Sequence, residues 1–300
     1  MRIGLLGTGP WAQRTQGPGL AGHPEVDLVG VWGRRPEAAG ELATTLGSRA
    51  YADADALFAD CDAVSFALPP DVQAPLAVRA ARAGCHVLLD KPVATSVAAA
   101  REVADAVAEA ERASVVFCTL RFAPETAAWV AAQRGSDDWL TGRADWYSAA
   151  FGGADSPYAD SVWRRERGAL WDIGPHALSL LLPPLGDVAD LGAVRAAHGP
   201  GDMVHATLRH VSGASSTISL SLTVPPQAAG VTVELRGAAG VSTLPERGDG
   251  GPVRPFQRAV DALIESAGGG AAHPCDVRFG LRITEILAAV ELALPGEVDG

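Results

Sequence analysis

Cysteine, basic residues and long apolar runs are all scarce in this sequence, and each scarcity argues against a class of protein. The four cysteines, Cys61, Cys85, Cys118 and Cys275, lie far apart, with no C-x-x-C pair and no zinc-ligand spacing, so we expect no metal site. Lysine and arginine total 24 against 35 acidic residues, a net charge of −11. A chain this acidic lacks the basic footprint of a nucleic-acid-binding protein.

Membrane and secretory signals are missing as well. No uncharged apolar run is long enough to cross a bilayer, and the apolar stretch after Arg2 is too short for a signal peptide. We therefore expect a cytoplasmic protein whose cysteines are reduced and behave as small hydrophobes. An apolar fraction of 48% and a charged fraction of 20% are typical of a globular protein, and 300 residues are enough for two domains.

The first half of the chain alternates short apolar runs with helical patterns. Continuous Val, Leu and Ile runs are typical of strands covered on both faces, and their alternation with helices indicates a doubly wound parallel sheet. Strands are predicted at Arg2–Leu6, Val26–Trp32, Asp62–Leu68, Cys85–Leu89 and Ser114–Cys118, and helices at Trp11–Leu20, Pro36–Leu46, Val72–Ala83 and Val97–Arg112. Within the first of these helices, Pro18 is expected to produce a kink or an early end.

A G-x-G-x-x-A pattern, Gly7-Thr8-Gly9-Pro10-Trp11-Ala12, joins the first predicted strand to the first helix. Gly7 permits the tight turn, Gly9 lets backbone N–H groups approach a pyrophosphate, and Ala12 allows close packing of helix and strand. We predict that this turn, including Pro10 and Trp11, binds a dinucleotide cofactor.

The second strand ends in Gly33-Arg34-Arg35, where an NAD-preferring site usually carries an acid for the ribose hydroxyls. Without the acid a 2′-phosphate is not repelled, and an arginine can bind it through charge-assisted hydrogen bonds. We predict NADP(H) as cofactor, with NAD possible and Arg34 the main contact. The alternative is that both arginines only solvate the start of a helix.

Two further strand ends face the crevice where open α/β sheets bind ligands. One is Leu68-Pro69-Pro70, a turn stiffened by two prolines, where the nicotinamide ribose would lie. The other is Asp90-Lys91-Pro92, which places a lysine where it can share a proton with a substrate. A solvated charged pair at an ordinary strand end is the alternative for this second turn.

After residue 120 the pattern changes to alternating runs typical of half-buried strands, as in Thr217–Val224. The apolar face of such a sheet must pack on helices or on another subunit. Strands are predicted at Arg143–Phe151, Val188–His198, Met203–His210, Ser216–Val224 and Val231–Arg236, and helices at Glu125–Gln133, Arg254–Ala267 and Val277–Leu294. We place the domains at 1–119 and 120–300.

Asp172 and His176 stand four residues apart, which puts them on one face of a helix. Pro175 suggests that they lie in its first turn, where a missing N–H costs nothing. Upstream, Gly152 to Arg167 is predicted to be a polar loop containing Tyr158 and Trp163. Its cluster Arg164-Arg165-Glu166-Arg167 could grip an anionic substrate, although a solvated loop is the favoured interpretation.

Taken together these segments resemble the Gfo/Idh/MocA family of NAD(P)-dependent oxidoreductases. The most specific likeness is Asp90-Lys91-Pro92, which is similar to the family's [E/D]-K-P motif. Phe117–Pro124 resembles the start of the family's second domain, and Trp163-Arg164 with Asp172-x-Gly174-x-His176 resembles its D-x-G-x-H helix. The likeness follows the family order over nearly the full chain.

The resemblance implies a Rossmann domain followed by an α/β domain with a large, mostly antiparallel open sheet. It also implies hydride transfer at a hydroxyl or carbonyl carbon of a small polyhydroxylated substrate, with catalytic roles for Lys91, Asp172 and His176. A homo-oligomer, dimer or tetramer, through the C-terminal sheet is expected by the same resemblance. The family's Lys-Pro bond is often cis.

Two positions depart from the family pattern: Gln73 stands where a histidine is common, and Ser179 where an aspartate is common. Gln73 is expected to change little, whereas the lost carboxylate at Ser179 puts any particular sugar specificity in doubt. The main hypothesis is an NADP(H)-dependent oxidoreductase acting on a sugar, inositol or amino-sugar-like substrate. The alternatives are a catalytically idle dinucleotide-binding sensor and a reductase of a non-sugar ring such as a tetrapyrrole or cyclic imine.

Overall fold

The computed structural model describes residues 1–135, 138–152, 156, 161–246, 248 and 250–296. Its contacts divide the chain into two compact units, Met1–Ala123 with Gly248–Thr284, and Pro124–Arg247 with Glu285–Gly300. Each unit is built around a six-stranded sheet. Among the described residues, no helix is both long enough and apolar enough to pass through a membrane.

The first unit contains a parallel sheet of order β3-β2-β1-β4-β5-β6, as expected for a doubly wound domain. Its strands are β1 (Arg2–Leu6), β2 (Asp27–Trp32), β3 (Arg49–Tyr51), β4 (Ala63–Phe66), β5 (His86–Asp90) and β6 (Ser114–Phe117). The connecting helices are α1 (Gly17–Ala21), α2 (Pro36–Thr45), α3 (Ala54–Ala59), α4 (Pro70–Arg82) and α5 (Val97–Glu109). The predicted Rossmann sheet is confirmed, and β3 and α3 are additions that the sequence patterns did not predict.

Side chains alternate between two cores, one on each face of this sheet. In β5, Val87 and Leu89 join the core under α3, α4 and α5, whereas Leu88 joins the core under α1 and α2. All three are fully buried, which explains why this strand reads as a continuous apolar run.

The predicted first helix is divided into a π-helical turn, Ala12–Gln16, and the short α1. Pro18 lies at the start of α1, where its missing N–H needs no partner. The expected shortening by Pro18 is therefore wrong, because the helix continues to Ala21, one residue past its predicted end, and its type changes from π to α just before the proline.

The second unit contains a mixed sheet of order β12-β11-β7-β10-β9-β8, in which only the β7–β10 pair is parallel among the described strands. Its elements are α6 (Pro124–Gln133), β7 (Trp139–Tyr147), α7 (Val162–Leu185), β8 (Arg195–His198), β9 (Val204–Arg209), β10 (Ser215–Ser221), β11 (Gly230–Gly237) and β12 (Gly240–Thr243). The predicted mostly antiparallel sheet is confirmed. The strand predicted over Val188–His198 is wrong in its first half, because Asp190 caps a 3₁₀ turn at Leu191–Ala193.

Helix α7 covers the apolar face of the second sheet, where Ile218 and Leu220 of β10 are fully buried. The opposite face carries polar residues, including Thr217 beside Arg143 and Ser219 beside Asp145. The apolar face is thus satisfied within the unit, and assembly through this sheet stays a prediction.

The chain then returns to the first unit with α8 (Val253–Ala267) and the start of α9 (Val277–Ala293). Phe256, Val260 and Leu263 of α8 are fully buried in the core that α1 and α2 also cover. The assignment of all residues after 119 to one domain therefore differs from the structure. The physical reason is that the first sheet needs a third helix on this face, and α8 supplies it.

All four cysteines are free and buried. Burial raises the pKa of the Cys61 thiol to about 12 and that of Cys85 to about 11. These thiols are therefore held in the protonated form, which is not nucleophilic.

The stability of the second unit is expected to fall below neutral pH because of His210. Its imidazole is buried, with Nδ1 2.8 Å from the Gly186 carbonyl oxygen and Nε2 2.8 Å from the Ser216 hydroxyl. Burial lowers the pKa of His210 below its ordinary 6.5, although the Gly186 carbonyl and Asp187 act in the opposite sense. The unfolded chain therefore takes up the proton more readily, so stability is lost as pH falls below 6.5.

Urea unfolding at about pH 7.5 and about pH 5.5 measures this loss. In the variant His210→Gln, which can donate and accept but not titrate, the difference between the two pH values should be smaller. An unchanged difference would show that other groups carry the pH dependence.

Candidate functional site

The predicted cofactor residues of the first unit all follow the carboxyl ends of neighbouring strands. The adjacent strands β2, β1, β4 and β5 end at Trp32, Leu6, Phe66 and Asp90. The structure therefore brings together, on one edge of the sheet, the residues Gly7, Gly9, Pro10, Trp11, Ala12, Gly33, Arg34, Arg35, Leu68, Pro69, Lys91 and Pro92. Ligands of open α/β sheets bind at this edge.

The glycine turn after β1 has the geometry that a dinucleotide needs. Gly7 has φ +124°, and a side chain there would collide with the backbone carbonyl of Ala67. A Cβ at Gly9 would meet no atom within 4 Å, so the backbone at Gly9 is open to a close ligand. This open surface is the space that the second glycine of the pattern leaves for a pyrophosphate.

Trp11 adds an unsatisfied donor to this turn. Its indole stacks on Phe117 at the end of β6, with ring centroids 6.2 Å apart. The indole Nε1 is buried and has no hydrogen-bond partner among the described residues. Buried indole N–H groups normally have a partner, so the residues present fit a bound polar ligand.

The end of β2 presents positive charge and no acid. Gly33 is buried, and a Cβ there would lie 2.6 Å from the Thr8 methyl group, so Thr8 occupies the place of a side chain. Arg34 and Arg35 are exposed, and within the described part of the chain neither forms an ion pair.

The turn after β5 carries Lys91, which is the only lysine of the chain. Lys91 is half-buried, and its backbone N–H donates to Asp90 Oδ1 at 2.9 Å. The Lys91–Pro92 peptide bond is cis. The cis Lys-Pro bond that the family resemblance led us to consider is thus present in this chain. The Asp90 carboxylate thus binds the backbone of this turn.

Gln73 of α4 holds the same turn, which the sequence did not indicate. Its Nε2 lies 2.9 Å from the Asp90 carbonyl oxygen, 3.2 Å from that of Pro92 and 3.0 Å from that of Val93. Its Oε1 accepts the Asp90 N–H at 2.9 Å. The expectation that Gln73 changes little was made without these contacts, and the only sequence clue to them was its place three residues after Pro70.

In the second unit, Asp172 and His176 lie on α7. They share a helix face as predicted, but the first-turn assignment of Pro175 is wrong. The helix breaks at Gly168, whose φ is +64°, and starts again, so Pro175 lies in the second turn after the break. Both carboxylate and imidazole are thus held by a continuous, mostly buried helical segment.

The imidazole of His176 packs against Trp146 of β7. The ring centroids are 5.0 Å apart and the planes differ by 15°, a stacked arrangement. Trp146 is itself buried on the α7 side of the sheet. This contact fixes the plane of the imidazole ring, and no sequence pattern pointed to Trp146.

Arg164 forms an ion pair with Asp172, with Nε 3.2 Å from Oδ2 and side chains 19% and 10% exposed. Its guanidinium also lies over the Trp163 ring at 4.6 Å. Arg164 belongs to α7, so the interpretation of 164–167 as a solvated loop is wrong. Of the predicted loop, residues 153–155 and 157–160, with Tyr158, lie outside the described residues.

A cavity of about 390 Å³ adjoins this ion pair, in the second unit. Its polar lining combines two arginines with an aspartate that already accepts hydrogen bonds from Ser221, Leu222 and Thr223. The lining residues are Ala150, Phe151, Arg164, Arg165, Gly168, Asp202 and Thr223.

Ser179, the second departure from the family pattern, is buried on α7. Its hydroxyl donates to the His176 carbonyl oxygen at 2.7 Å. The described residues contain no cluster of three histidine, cysteine or acidic side chains that could hold a metal ion.

Comparison with known families gives two matches that together cover most of the chain. The oxidoreductase family GFO/IDH/MocA, described by its NAD-binding Rossmann fold, matches residues 1–117. The GFO/IDH/MocA C-terminal domain matches residues 129–242.

Individual relatives act on sugars and inositols. A dTDP-3,4-didehydro-2,6-dideoxy-alpha-D-glucose 3-reductase of Streptomyces violaceoruber is 33% identical over 60% of this chain and 53% of its own length. An inositol 2-dehydrogenase of Rhizobium meliloti is 27% identical over 62% of this chain and 56% of its own length. The matched segment thus spans little more than half of these relatives.

Among solved structures, GenD2 from gentamicin A biosynthesis, in complex with NAD, has the same fold. The TM-score is 0.83 at 21% identity, over 98% of this chain and 93% of that chain.

Removing one partner of the Arg164–Asp172 pair should destabilise the protein. In Arg164→Met the buried Asp172 carboxylate loses this cation, and we expect the free energy of unfolding to fall by about 3 kcal/mol. The double variant Arg164→Met/Asp172→Leu should recover part of that loss because no charge is left behind. Urea unfolding of the two single variants and the double variant measures both effects, and additive losses would contradict an energetic coupling.

Proposed function

The chain belongs to the GFO/IDH/MocA oxidoreductase family, and on this premise we propose that it transfers a hydride between NADP(H) and a hydroxyl or carbonyl carbon of a small polyhydroxylated substrate. The observation that carries the proposal is a shared edge of the first sheet. The chain's one lysine, the glycine turn and the exposed arginines all follow the carboxyl ends of its parallel strands. The named activities of the relatives, on a deoxy-sugar and an inositol, support the substrate class.

The cofactor would be held by the glycine turn and by the end of β2. The open backbone at Gly9 and the buried indole N–H of Trp11 would receive the diphosphate and its neighbouring groups. Arg34 would bind the 2′-phosphate of the adenosine ribose, since Gly33 offers no carboxylate to repel it. When bound, the nicotinamide supplies or accepts the hydride.

Three side chains would handle the proton and the reacting oxygen. The Lys91 ammonium would hydrogen-bond the oxygen on the carbon that is oxidised or reduced, where it offsets developing negative charge. The His176 imidazole would take the hydroxyl proton in oxidation and return it in reduction. Asp172 would set the orientation of His176 for this proton transfer. Arg164 would hold the Asp172 carboxylate, and Trp146 would hold the plane of the imidazole ring.

The NADP(H) preference can be tested on the two adjacent arginines. We expect a higher catalytic efficiency with NADPH than with NADH. Arg34→Ala should raise KM for NADPH by about 10- to 100-fold, equivalent to the loss of a charge-assisted hydrogen bond of about 1.5–3 kcal/mol, and leave KM for NADH almost unchanged.

Arg35→Ala is the matched control, because it removes the same charge from the neighbouring position and should have the smaller effect. A clear preference of the wild-type protein for NADH would rule out the NADP(H) assignment.

The catalytic assignment predicts that Lys91→Ala and His176→Ala each lower turnover by about 10²- to 10⁴-fold while NADPH binding is retained. Turnover should be measured across inositols, free sugars, amino sugars and nucleotide sugars, with cofactor binding followed separately by fluorescence. His205→Ala is the control, since His205 lies on β9 and its only side-chain hydrogen bond among the described residues is with the Ser219 hydroxyl.

Near-full activity of both variants would contradict the assignment. NADPH binding with no turnover on any of these compounds would instead favour a dinucleotide-binding sensor.

A further inference from the structure

The end of β5 extends beyond the strand beside it. Strand β4 pairs with β5 through Ala63–His86, Val64–Val87 and Ser65–Leu88, and the pairing ends there. On the other side, β6 continues to pair as far as Asp90, which lies opposite Phe117. The last residues of β5 therefore leave the ladder of β4 just before Lys91.

The Gln73 side chain bonds to this end of β5 as a short strand would. Its amide accepts the Asp90 N–H and donates to the Asp90 carbonyl oxygen, both at 2.9 Å. This two-way exchange has the pattern of a hydrogen-bonded pair in a sheet. The same Nε2 also donates to the carbonyl oxygens of Pro92 and Val93. One amide thus binds the backbone on both sides of Lys91.

The position of the Gln73 amide is set by the start of α4. Pro69 precedes the helix and Pro70 is its first residue, so the backbone enters the first turn with both φ angles restrained. The Gln73 N–H donates to the Pro69 carbonyl oxygen at 2.8 Å. The side chain is fully buried, and Ala74 and Ala77 of the same helix are buried in the core. A buried, anchored amide cannot easily exchange its backbone partners for water.

From these contacts we propose that Gln73 is a positioning residue for Lys91, a role that rests on the proposed function of that lysine. It does not touch the substrate in this role. It fixes the backbone before and after Lys91, so that the ammonium projects from one rigid turn at the carboxyl edge of the sheet. The two prolines of Leu68-Pro69-Pro70 act through it, because they set the helix start from which it reaches β5.

The single lysine makes a direct test possible without any substrate. Protein labelled with ¹³C-lysine gives one lysine CεH₂ signal, from Lys91. In Gln73→Leu the turn loses its side-chain partner, and we expect this signal to move or broaden and its shift on NADPH addition to shrink. In turnover assays the same variant should lower kcat by about 10- to 100-fold, the effect of a displacement of about 1 Å, with KM for NADPH near the wild-type value.

Two further variants separate positioning from simple loss of a buried side chain. Gln73→Glu keeps the shape and the acceptor for the Asp90 N–H but offers no N–H to the three carbonyl oxygens, so it should reproduce the NMR change even if Gln73→Leu does not fold. Gln73→His retains one donor and one acceptor and should restore much of kcat.

The stability control is Gln16→Leu. Gln16 is equally buried, donates to the Phe66 carbonyl oxygen at 2.8 Å and accepts from the Ser65 hydroxyl at 2.8 Å, but its side chain forms no hydrogen bond to the Lys91 turn within the described part of the chain. It should lower the unfolding temperature to a similar degree and leave the lysine signal in place.

A wild-type lysine signal with a normal NADPH response in Gln73→Leu or Gln73→Glu would overturn the proposal, whatever the loss of stability. Absence of turnover in the wild-type protein would contradict the proposed function alone, since the NMR comparison requires no reaction.

Discussion

The exchange of hydrogen bonds between the Gln73 side-chain amide and the Asp90 backbone is the contact on which the Lys91 turn of the first unit depends. A strand that extends past its neighbour has backbone N–H and C=O groups without a partner in the sheet. Each such group, if buried without a hydrogen bond, lowers the stability of the fold by about 1–3 kcal/mol. Here the partner comes from a helix, so the strand can end abruptly in Asp90-Lys91-Pro92 without exposing its backbone to solvent. The lysine is thereby carried by a turn that is bonded on both sides.

A similar constraint governs the second unit, where the costly group is a charge. Asp172 is almost fully buried, and a carboxylate in such a place requires a cation or several donors. Arg164 provides the cation from the other side of the break at Gly168, so the two segments of α7 are joined by charge as well as by the chain. His176, one turn further, is held by an aromatic ring of the sheet. Each proposed reacting group therefore has a neighbour that limits its movement.

Much of this could be predicted from local patterns. The Rossmann strands, the glycine turn, the dinucleotide edge and the face shared by Asp172 and His176 follow from periodicity and from residue types with special backbone geometry. The predictions failed where a distant segment decides the outcome. Arg164 appeared to be a loop residue because its partner lies eight positions away across a glycine break. The return of α8 to the first unit depends on an uncovered sheet face, which no pattern within α8 reveals.

The sequence by itself determined the family, the strands and helices of the first unit apart from β3, α3 and the return of α8, and the positions where a cofactor and a lysine would meet the same sheet edge. It could do so because glycines, prolines and apolar runs act on their immediate neighbours. Tertiary structure alone decided that Gln73 completes the end of β5, that Trp146 stacks on His176, and that Arg164 neutralises Asp172. These contacts join residues that are far apart in the chain or separated by a backbone break, and their geometry exists only once the sheets and helices have packed.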